Sequence, residues 1–494
     1  MNSDRRLQAL ALLAIPWVGC ASPQGPKPPS FPSGGLLAFA TPPPNPWSLA
    51  NALEGIYDTS SRFGTDVVVH ASQWGDGDGG VQASVSLLAY DHLAFAVMQP
   101  GCLTDTTISP PSTQLVLEGY WRYLDDPNPS PSTTGLIRLF VEPPDVVDYV
   151  CNGPAWGNTD PPGDSRPPPG APATLTGSTG PGDAEPGDPL ALTWLRARKS
   201  RTNAEGTPTF FVGAHRGGCQ TVDNCGVSEN TPESAILGTQ LGSDYLEYDV
   251  ALTADDVPVV FHVDLDPALV QGVYCVGSVE DYTYDQLLAN CRLRNGEIIP
   301  RADSMLDEVL RRTDKPIYLD TKSASAIVPL SQILETLGDE LVPCNPPPDD
   351  AGTPWPPDGK QCLFPGSAPV WQRGVIGLPD SSMVSAYVDA LDAGELAPNQ
   401  HCLAEESASD LTEVPCVAWM PRYTLGPMTS TAQPLQQQGY FFGFWTISDP
   451  ATIDAFLTEA NPNGILTNYP GLLNQRFEEV GTPPPDAPFL ISTP

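Results

Sequence analysis

From residue 210 onward, short apolar runs typical of buried strands alternate with longer segments that have helical periodicity. The strand candidates are residues 210–214, 245–250, 317–320, 374–378, 414–419, 441–446 and 464–466, and the helix candidates include 232–241, 304–311, 327–337, 384–391 and 450–459. Such alternation predicts an α/β fold with a parallel sheet. Seven strand candidates suit a (β/α)8 TIM barrel in which one strand escapes detection. A doubly wound open sheet is the competing fold, although no GxGxxG loop follows the first strand.

The residues before this segment follow a different pattern. Between residues 36 and 199, β-branched and aromatic runs are separated by Gly, Asp and Pro. The runs are residues 66–71, 81–90, 94–98, 114–123, 135–141 and 190–197. Their period-two alternation predicts antiparallel strands, so we expect a small all-β domain, either a barrel or a sandwich. His70 and His92 stand alone in it and are expected to be structural, so we assign it no catalysis.

Composition divides the chain into segments, since 494 residues with 58 prolines and 44 glycines exceed one ordinary core. We expect a signal peptide in residues 1–20, a Pro-rich tether in 21–35, a β-rich accessory domain in 36–199 with a Pro/Gly-rich insertion around 152–188, a linker in 200–209, the barrel in 210–480 and a Pro-rich tail in 481–494. The formal net charge of −36 argues against nucleic acid as a partner. No obligate protein partner is evident.

The amino-terminal residues have the features of an export signal. Arg5 and Arg6 precede an apolar run from residue 7 to 18 that is too short to span a bilayer, and Gly19 and Cys20 follow it. This ending resembles a bacterial lipoprotein signal, in which an acylated Cys20 anchors the protein to the membrane. An ordinary secretory peptide is the alternative. We therefore expect an exported protein of the cell envelope.

The eleven cysteines suit an oxidising compartment, because assigning Cys20 to the anchor leaves an even ten. Sequence does not fix the connectivity, but pairing of neighbours is our expectation. It joins residues 102 with 151, 219 with 225, 275 with 291, 344 with 362 and 402 with 416. Zinc binding is the other use of such residues, and the sequence lacks the CxxC motif that would favour it.

Polar residues lie where the first two strand candidates end, which is where barrel enzymes place their active sites. His215 and Arg216 close the first strand. Glu247 and Asp249 lie two residues apart on the second, so both point to the same face. His262 ends the apolar run that follows. We expect these side chains to meet at one end of the barrel.

Asp320 and Lys322 are likewise two residues apart on the third strand. Carboxylates that share an inward face repel one another unless a cation lies between them. Because oxygen ligands favour a hard divalent ion, the sequence predicts one Mg²⁺ or Ca²⁺ held by Glu247, Asp249 and Asp320. Two histidines for proton transfer and a lysine for phosphate complete the parts of a phosphodiesterase.

The motifs AHRGG, ENTPES, YLEYDVALTADDVPVVFH and IYLDTK, in this order, resemble the glycerophosphodiester phosphodiesterase family, which has a phosphatidylinositol-phosphodiesterase-like TIM barrel. FFGFWTISDP and GILTNYP are similar to its closing segments. The resemblance spans about residues 210–473, roughly half of the chain. It implies a Mg²⁺- or Ca²⁺-dependent enzyme that cleaves a small glycerophosphodiester to glycerol 3-phosphate and an alcohol.

The resemblance also implies roles for individual residues. It gives proton transfer to His215 and His262, metal binding to Glu247, Asp249 and Asp320, and phosphate contacts to Arg216 and Lys322. Trp445 would be the aromatic wall of the substrate pocket, unless it is a buried barrel aromatic. Glu229 and Asn230 fall on the ENT motif, and Asn230 either caps the next helix or serves catalysis.

Four departures from the family pattern leave the substrate open. A valine separates His262 from Asp264, Asp320 stands where the family has Glu, Asn468 stands where it has Asp, and CQTVDNCGVS lengthens the loop after the first motif. Asp320 is similar to the equivalent residue of sphingomyelinase D-like phospholipases. One alternative is therefore a phospholipase D-like enzyme that forms a cyclic phosphate from lysophospholipids. The other is a non-catalytic lipoprotein that binds the envelope.

Overall fold

The computed structural model describes residues 41–59, 61–76, 80–90, 94–105, 111–124, 133–155, 172–182, 184, 186–202, 208–218, 226–342, 360–397 and 399–482. The predicted signal peptide and tether, His92 and most of the predicted tail lie outside these residues. The domain boundaries given above stay predictions.

The first part of the described chain is a closed antiparallel barrel of eight strands in sequential order. The strands are Gly55–Asp58, Val67–Gly75, Val81–Ala89, Ala94–Asp105, Ser112–Tyr123, Thr134–Glu142, Thr174–Thr179 and Asp188–Arg196. Pairing of the first strand with the last closes the ring, so the sheet is a barrel and not a sandwich. Sequence patterns missed the first strand and Thr174–Thr179, because the latter lies in a stretch dense in Pro and Gly.

Two short helices, Ser48–Leu53 and Pro144–Cys151, accompany this barrel. Their apolar residues Leu49, Leu53, Val146 and Val150 belong to the same buried cluster as its inward-facing side chains. A disulfide between Cys102 and Cys151 ties the second helix to a barrel strand, as predicted. Nδ1 of His70 lies 2.8 Å from Oε1 of Glu54, so this histidine has a carboxylate partner next to the barrel.

The second part is a closed parallel barrel of eight strands, as the alternation of patterns predicted. Its strands are Phe211–Ala214, Tyr245–Leu252, Ile317–Thr321, Gly374–Leu378, His401–Ala404, Cys416–Trp419, Phe441–Phe444 and Gly464–Thr467. Phe211–Ala214 pairs with both the second and the last of these, which closes the ring and excludes the open sheet. Pro258–Val260 adds an antiparallel hairpin strand to the second.

The strand missing from the sequence prediction is His401–Ala404. It has four residues and begins with a histidine, so it presents too short an apolar run to be seen alone. Its burial comes from its neighbours, since it pairs with Gly374–Leu378 and Cys416–Trp419. A disulfide between Cys402 and Cys416 crosses to the second of them.

Helices surround the parallel barrel. They are Pro232–Gln240, Tyr284–Asn290, Ala302–Arg312, Ile327–Glu340, Val370–Arg373, Ser381–Ala393, Thr429–Gln437, Pro450–Glu459 and Pro470–Val480. Short strand pairs also join Val270–Gln271 to Arg292–Leu293 and Leu341–Val342 to Gln361–Cys362. Ala302–Arg312 shows why such segments form helices: its buried residues recur at helical spacing, and Arg311 and Arg312 pair with carboxylates one turn earlier.

The interior of the parallel barrel is filled by side chains from its strands. They are Phe211, Tyr245, Tyr318, Val375, Leu403, Ala418, Met420, Phe441 and Leu466. Because this layer closes the barrel from below, polar side chains nearer the carboxyl ends of the strands line a cavity and not a channel.

The last helix, Pro470–Val480, contacts the antiparallel barrel. Arg198 donates to Glu478 at 3.1 Å and to Asn474 at 2.7 Å, and the amide of Tyr90 donates to Gln475 at 2.6 Å. Glu478 is 3% exposed, so its bond with Arg198 is a charge-assisted bond to a buried carboxylate.

Three of the predicted disulfides are present: Cys102–Cys151, Cys275–Cys291 and Cys402–Cys416. Cys219, Cys225 and Cys344 lie outside the described residues, and Cys362 forms no disulfide within them. Three disulfides are compatible with an oxidising, extracytoplasmic compartment. Within the described ranges, no helix has the length and hydropathy needed to cross a bilayer.

Candidate active site

A cavity of about 320 Å³ opens at the carboxyl ends of the parallel strands. Its walls include seven of the eight residues predicted for the site: His215, Arg216, Glu247, His262, Asp320, Lys322 and Trp445. The eighth, Asp249, is 1% exposed and lies behind them, in contact with Arg216 and Lys322. The fold thus brings together residues that are spread over 230 positions of the sequence (445 − 215).

His215 lies in a tight turn at the end of the first strand. Arg216, Gly217 and Gly218 all have positive φ angles of 53°, 84° and 102°. A Cβ on Gly217 would lie 2.0 Å from the hydroxyl of Ser234, so this position requires glycine. The turn directs the His215 ring and the backbone amide of Arg216 toward the same carboxylate, Glu247.

The ring of His215 has a fixed orientation. Its Nδ1 lies 2.6 Å from Oδ1 of Asn468, so that Nδ1–H donates and Nε2 remains as the acceptor. Nε2 lies 3.8 Å from Glu247. Burial, reinforced by the positive charge of Arg216, lowers the pKa of His215 to about 4. The imidazole is therefore neutral at neutral pH, as a proton acceptor must be.

Three carboxylates form an acidic cluster beside this ring. Glu247 and Asp249 alternate along one strand, and Asp320 is paired directly with Asp249 on the next. One oxygen from each lies within 4.8 Å of the others. Burial and the charges of Asp249 and Asp320 raise the pKa of Glu247 well above its ordinary value.

Two cations contact the cluster. Lys322 Nζ lies 2.7 Å from Asp249 and 2.5 Å from Asp320. Arg216 lies 3.0 Å from Asp249 through Nε and 2.7 Å from Glu229 through Nη1. Although burial opposes ionisation of Asp249, these two cations hold its pKa well below the usual range. The same carboxylates raise the pKa of Lys322, so both cations stay charged.

The three carboxylates fit a divalent cation. Within the described residues, Oε1 of Glu247 and Oδ1 of Asp320 are buried and have no hydrogen-bond partner. Orphaned carboxylate oxygens at this depth are costly unless something neutralises them. The donor set consists of oxygens alone, which suits Mg²⁺ or Ca²⁺.

Asn230 belongs to this cluster and is not the cap of the helix that follows. Its Nδ2 donates to Asp249 at 3.0 Å and its Oδ1 accepts from the Asp249 amide at 3.1 Å. The N-cap is Thr231, whose hydroxyl accepts from the amide of Ser234. The capping interpretation of Asn230 was therefore wrong. Its reciprocal bonds fix the orientation of Asp249.

His262 follows the Pro258–Val260 strand and is half-buried at the cavity wall. Burial lowers its pKa, while the charges of Asp249 and Asp264 act in the opposite direction. Asp264 itself is exposed and forms an isolated bridge with Ser278. Asp264 is not one of the three carboxylates that form the acidic cluster.

Trp445 forms part of the cavity wall, which is one of the two positions that the sequence analysis considered for it. The guanidinium of Arg422 stacks over its ring at 4.8 Å from the centroid. Arg422 was missed by sequence reasoning because no motif surrounds it. It adds a third positive charge to the cavity walls, beside Arg216 and Lys322.

Tyr318 and Glu405 were missed as well. Glu405 directly follows the undetected strand His401–Ala404, so no pattern placed it at a strand end. It is 3% exposed and lines the cavity. The hydroxyl of Tyr318 donates to its Oε1. Burial and the charge of Asp320 raise the pKa of Glu405 well above its ordinary value.

The segment that carries this geometry matches a known family. Residues 215–335 match the model described as "Glycerophosphoryl diester phosphodiesterase family". The similarity to that family therefore covers one segment of the parallel barrel. The match contains the two histidines, the three carboxylates of the cluster, Arg216 and Lys322.

Solved structures that match part of this chain come from several organisms. A glycerophosphodiester phosphodiesterase from Parabacteroides distasonis is 17% identical, with 55% of this chain and 97% of that chain covered and a TM-score of 0.40. An Oleispira antarctica phosphodiesterase, in complex with the product sn-glycerol-3-phosphate, is 18% identical over 55% and 97%, with a TM-score of 0.39. The enzyme from Thermotoga maritima is 15% identical over 53% and 96%, with a TM-score of 0.36.

Proposed function

We propose that this protein is a metal-dependent phosphodiesterase that hydrolyses glycerophosphodiesters to glycerol 3-phosphate and an alcohol. The observation that carries the proposal is the convergence of two histidines, two cations and an oxygen-only acidic cluster on one cavity of about 320 Å³. A phosphodiester needs each of these groups: a cationic seat for its charge, and a proton acceptor and a donor for its two oxygens.

Glu247, Asp249 and Asp320 would hold one Mg²⁺ or Ca²⁺, with Asn230 as a positioning residue for Asp249. When bound, such an ion supplies positive charge that stabilises the negative charge of the phosphoryl group in the transition state. Arg216 and Lys322 face three carboxylates of the cluster, and Arg216 is also engaged by Glu229, so the carboxylates outnumber the cations. A divalent ion would correct this deficit, which is the physical reason for expecting one.

Arg216 and Lys322 bind the phosphate in this proposal. Both are more than four-fifths buried, with 14% and 18% of their side chains exposed, and both line the cavity. Their ion pairs with Asp249 keep them in place before substrate arrives, so little reorganisation is needed when the phosphate binds.

His215 and His262 move the protons. Neutral His215 takes a proton from the attacking water through Nε2, while Asn468 keeps the opposite nitrogen protonated. As the new phosphorus–oxygen bond forms, the bond to the alcohol oxygen breaks and the protonated form of His262 donates its proton to that oxygen. The proton that His215 has taken is then released to solvent and His262 takes one up, which resets the pair. The reaction consumes one water, and its products are glycerol 3-phosphate and the free alcohol.

The test uses the purified protein with glycerophosphocholine, and measures glycerol 3-phosphate with a coupled dehydrogenase. We expect activity that EDTA abolishes and that Mg²⁺ or Ca²⁺ restores, and a loss of about a hundredfold or more in His215→Ala. His401→Ala is the matched control, because His401 lies at the amino end of its strand. Activity that persists in both EDTA and His215→Ala would refute the proposal.

A cyclising transfer on lysophospholipids is the second candidate. It is favoured by two features, the short Asp320 in place of a glutamate and the disulfide Cys275–Cys291 in the loop after His262. A substrate hydroxyl would then attack the phosphorus in place of water. Phosphorus NMR of the products distinguishes the reactions, since a persistent cyclic phosphate indicates transfer.

We also propose that the protein is exported and anchored to the envelope membrane through Cys20, with a small diester as its substrate. The three disulfides of the described chain support an oxidising compartment. Labelling with a radioactive fatty acid, with Cys20→Ser as control, tests the anchor.

A further inference from the structure

Two loops at the mouth of the cavity expose apolar side chains to solvent. Among the described residues, the four most exposed large apolar side chains are Val273, Tyr274, Val276 and Leu425, at 89%, 72%, 60% and 56%. Single exposed apolar residues are normal on a protein surface, but three of these lie within four consecutive positions. The proposed reaction uses none of the four, so their exposure has another reason.

The first loop, residues 263–279, leaves the cavity wall directly after His262. The amide of Val279 donates to the carbonyl of Val263 at 2.9 Å, which joins the two ends of the loop next to this histidine. The three neighbouring exposed residues lie between these ends. The loop therefore presents them to solvent beside the cavity.

The backbone that carries these three residues is fixed at several points. The hydroxyl of Tyr282 lies 2.8 Å from the carbonyl oxygens of both Tyr274 and Val276, and donates to them. Cys275, between the two, is 3% exposed and forms the disulfide with Cys291. The cysteine thus points into the protein while its neighbours point outward. Their exposure is a built feature of the loop.

Leu425 lies on the opposite side of the cavity mouth. It follows the sixth strand of the parallel barrel, Cys416–Trp419, and comes three residues after Arg422 of the cavity wall. The loop of residues 263–279 follows the second strand and its hairpin. In a closed ring of eight strands, the second and the sixth face each other. Two apolar projections therefore flank the entrance to the cavity.

A lipid surface fits two separated projections better than a folded protein does. A specific protein interface buries about 800 Å² per partner in one patch, and a patch that reached both projections would block the cavity. A membrane is fluid and reaches both: aliphatic side chains enter its apolar layer, and a tyrosine ring lies at the level of the headgroups. Phospholipid headgroups are also phosphodiesters, a point that rests on the proposed function.

Charge indicates which lipid the surface accepts. The formal net charge of the chain is −36, and Asp264, Asp266 and Glu280 are exposed at the base of the first loop. Residues 267–279 contain no charged side chain. An anionic surface would repel this rim, whereas a zwitterionic surface without net charge would not.

We propose that the loops of residues 263–279 and 423–426 form a docking surface for a zwitterionic phospholipid membrane and hold the cavity mouth against its headgroups. This surface goes beyond the proposed function, because it concerns where the enzyme works and not which bond it breaks. It also differs from the anchor proposed on Cys20. A lipid on that residue only tethers the chain, whereas the docking surface orients the cavity.

The experiment measures how the mature chain, loaded with its activating cation and freed of excess ion, partitions onto sucrose-loaded phosphatidylcholine vesicles. Every protein carries Cys20→Ser, so that no acyl chain contributes. With Val273→Ser, Tyr274→Ser and Val276→Ser combined in one protein, we expect the partition coefficient to fall by about 10- to 100-fold. Leu425→Ser should lower it by about 3- to 10-fold. Circular dichroism checks that each variant is folded.

Leu391→Ser is the matched control. Leu391 is 44% exposed, but it lies in the last turn of the helix Ser381–Ala393. This helix follows a barrel strand and runs back along it, so its last turn lies at the end remote from the cavity. We expect a change of less than about twofold. Tyr274→Trp should instead raise the partition coefficient by about 2- to 5-fold, a gain that misfolding does not produce.

The proposal is overturned if the parent protein does not partition onto phosphatidylcholine vesicles, if the combined serine variant binds as well as the parent, or if Leu391→Ser loses as much. Tighter binding to phosphatidylglycerol vesicles would also overturn it, since charge would then drive association. Light scattering that shows a dimer, lost in the serine variant and without vesicle binding, would assign the surface to a second copy of the chain. Because partition is measured without turnover, an inactive protein that binds vesicles refutes the proposed function alone.

Discussion

Replacing Asn468 with aspartate should move the acidic limb of the pH–rate profile, because this side chain is the hydrogen-bond partner of His215. In the structure, Oδ1 of Asn468 lies 2.6 Å from Nδ1 of the ring. The change keeps the size and the acceptor oxygen but adds a negative charge. That charge stabilises the protonated imidazolium, so it raises the pKa of His215.

The expected shift follows from the starting value and from the distance. Burial holds the pKa of His215 at about 4. An opposite charge within hydrogen-bond distance typically raises a pKa by about 1–3 units, which places the new value between about 5 and 7. With a pKa of about 6, roughly one molecule in ten has a neutral His215 at pH 5, compared with about nine in ten for a pKa of about 4.

The assay measures kcat/KM for glycerophosphocholine between about pH 4 and 9 at saturating cation, since this quantity reports the free enzyme. The rate should fall as the pH drops below the pKa of His215, because only the neutral ring accepts a proton. We therefore expect Asn468→Asp to lose most of its activity at pH 5 and little at pH 8. Circular dichroism at each pH checks that the protein stays folded.

Asn468→Ala is the matched control, because it removes the hydrogen bond and adds no charge. The bond to Asn468 raises the pKa of His215, so its loss should leave the acidic limb at or below about pH 4. Activity should drop at every pH, since the ring is no longer held. If both variants leave the limb unchanged, or shift it in the same direction, His215 is not the proton acceptor.

Two further predictions concern the acidic cluster and the barrel wall. Asn230→Ala removes both hydrogen bonds to Asp249. The cation concentration for half-maximal activity should therefore rise about 10- to 100-fold. An unchanged titration of activity with Mg²⁺ and Ca²⁺ would contradict this. Arg373→Leu should lower the free energy of unfolding by about 3 kcal/mol in urea and leave kcat/KM intact, because Arg373 is 1% exposed and donates to the carbonyls of Leu310, Thr313 and Lys315. An unchanged free energy of unfolding in Arg373→Leu would refute this prediction.

The sequence predicted the parallel barrel and most of its site because both depend on local periodicity. Side chains alternate along a strand, so the spacing of Glu247 and Asp249, and of Asp320 and Lys322, already placed each pair on one face. Their position after apolar runs placed them at the carboxyl ends of strands. The neighbour pairing of Cys275 with Cys291 was likewise confirmed, since their separation along the chain is short.

Contacts between distant segments were not predictable in this way. Asn230 has the same sequence context as a helix cap, and only the fold shows that it bonds to Asp249. Asn468 reaches His215 across 253 positions, and this bond exists because the last strand pairs with the first.

The sequence by itself determined the fold class, the strand ends and the chemical parts of the site: histidines, carboxylates and cations on inward faces. Tertiary structure alone decided which of these parts touch, and it added Glu405 and Tyr318. A strand of four residues such as His401–Ala404 is stable only between its neighbours, so its own sequence carries too little signal. The side chain that follows such a strand becomes a wall of the cavity only when the ring closes.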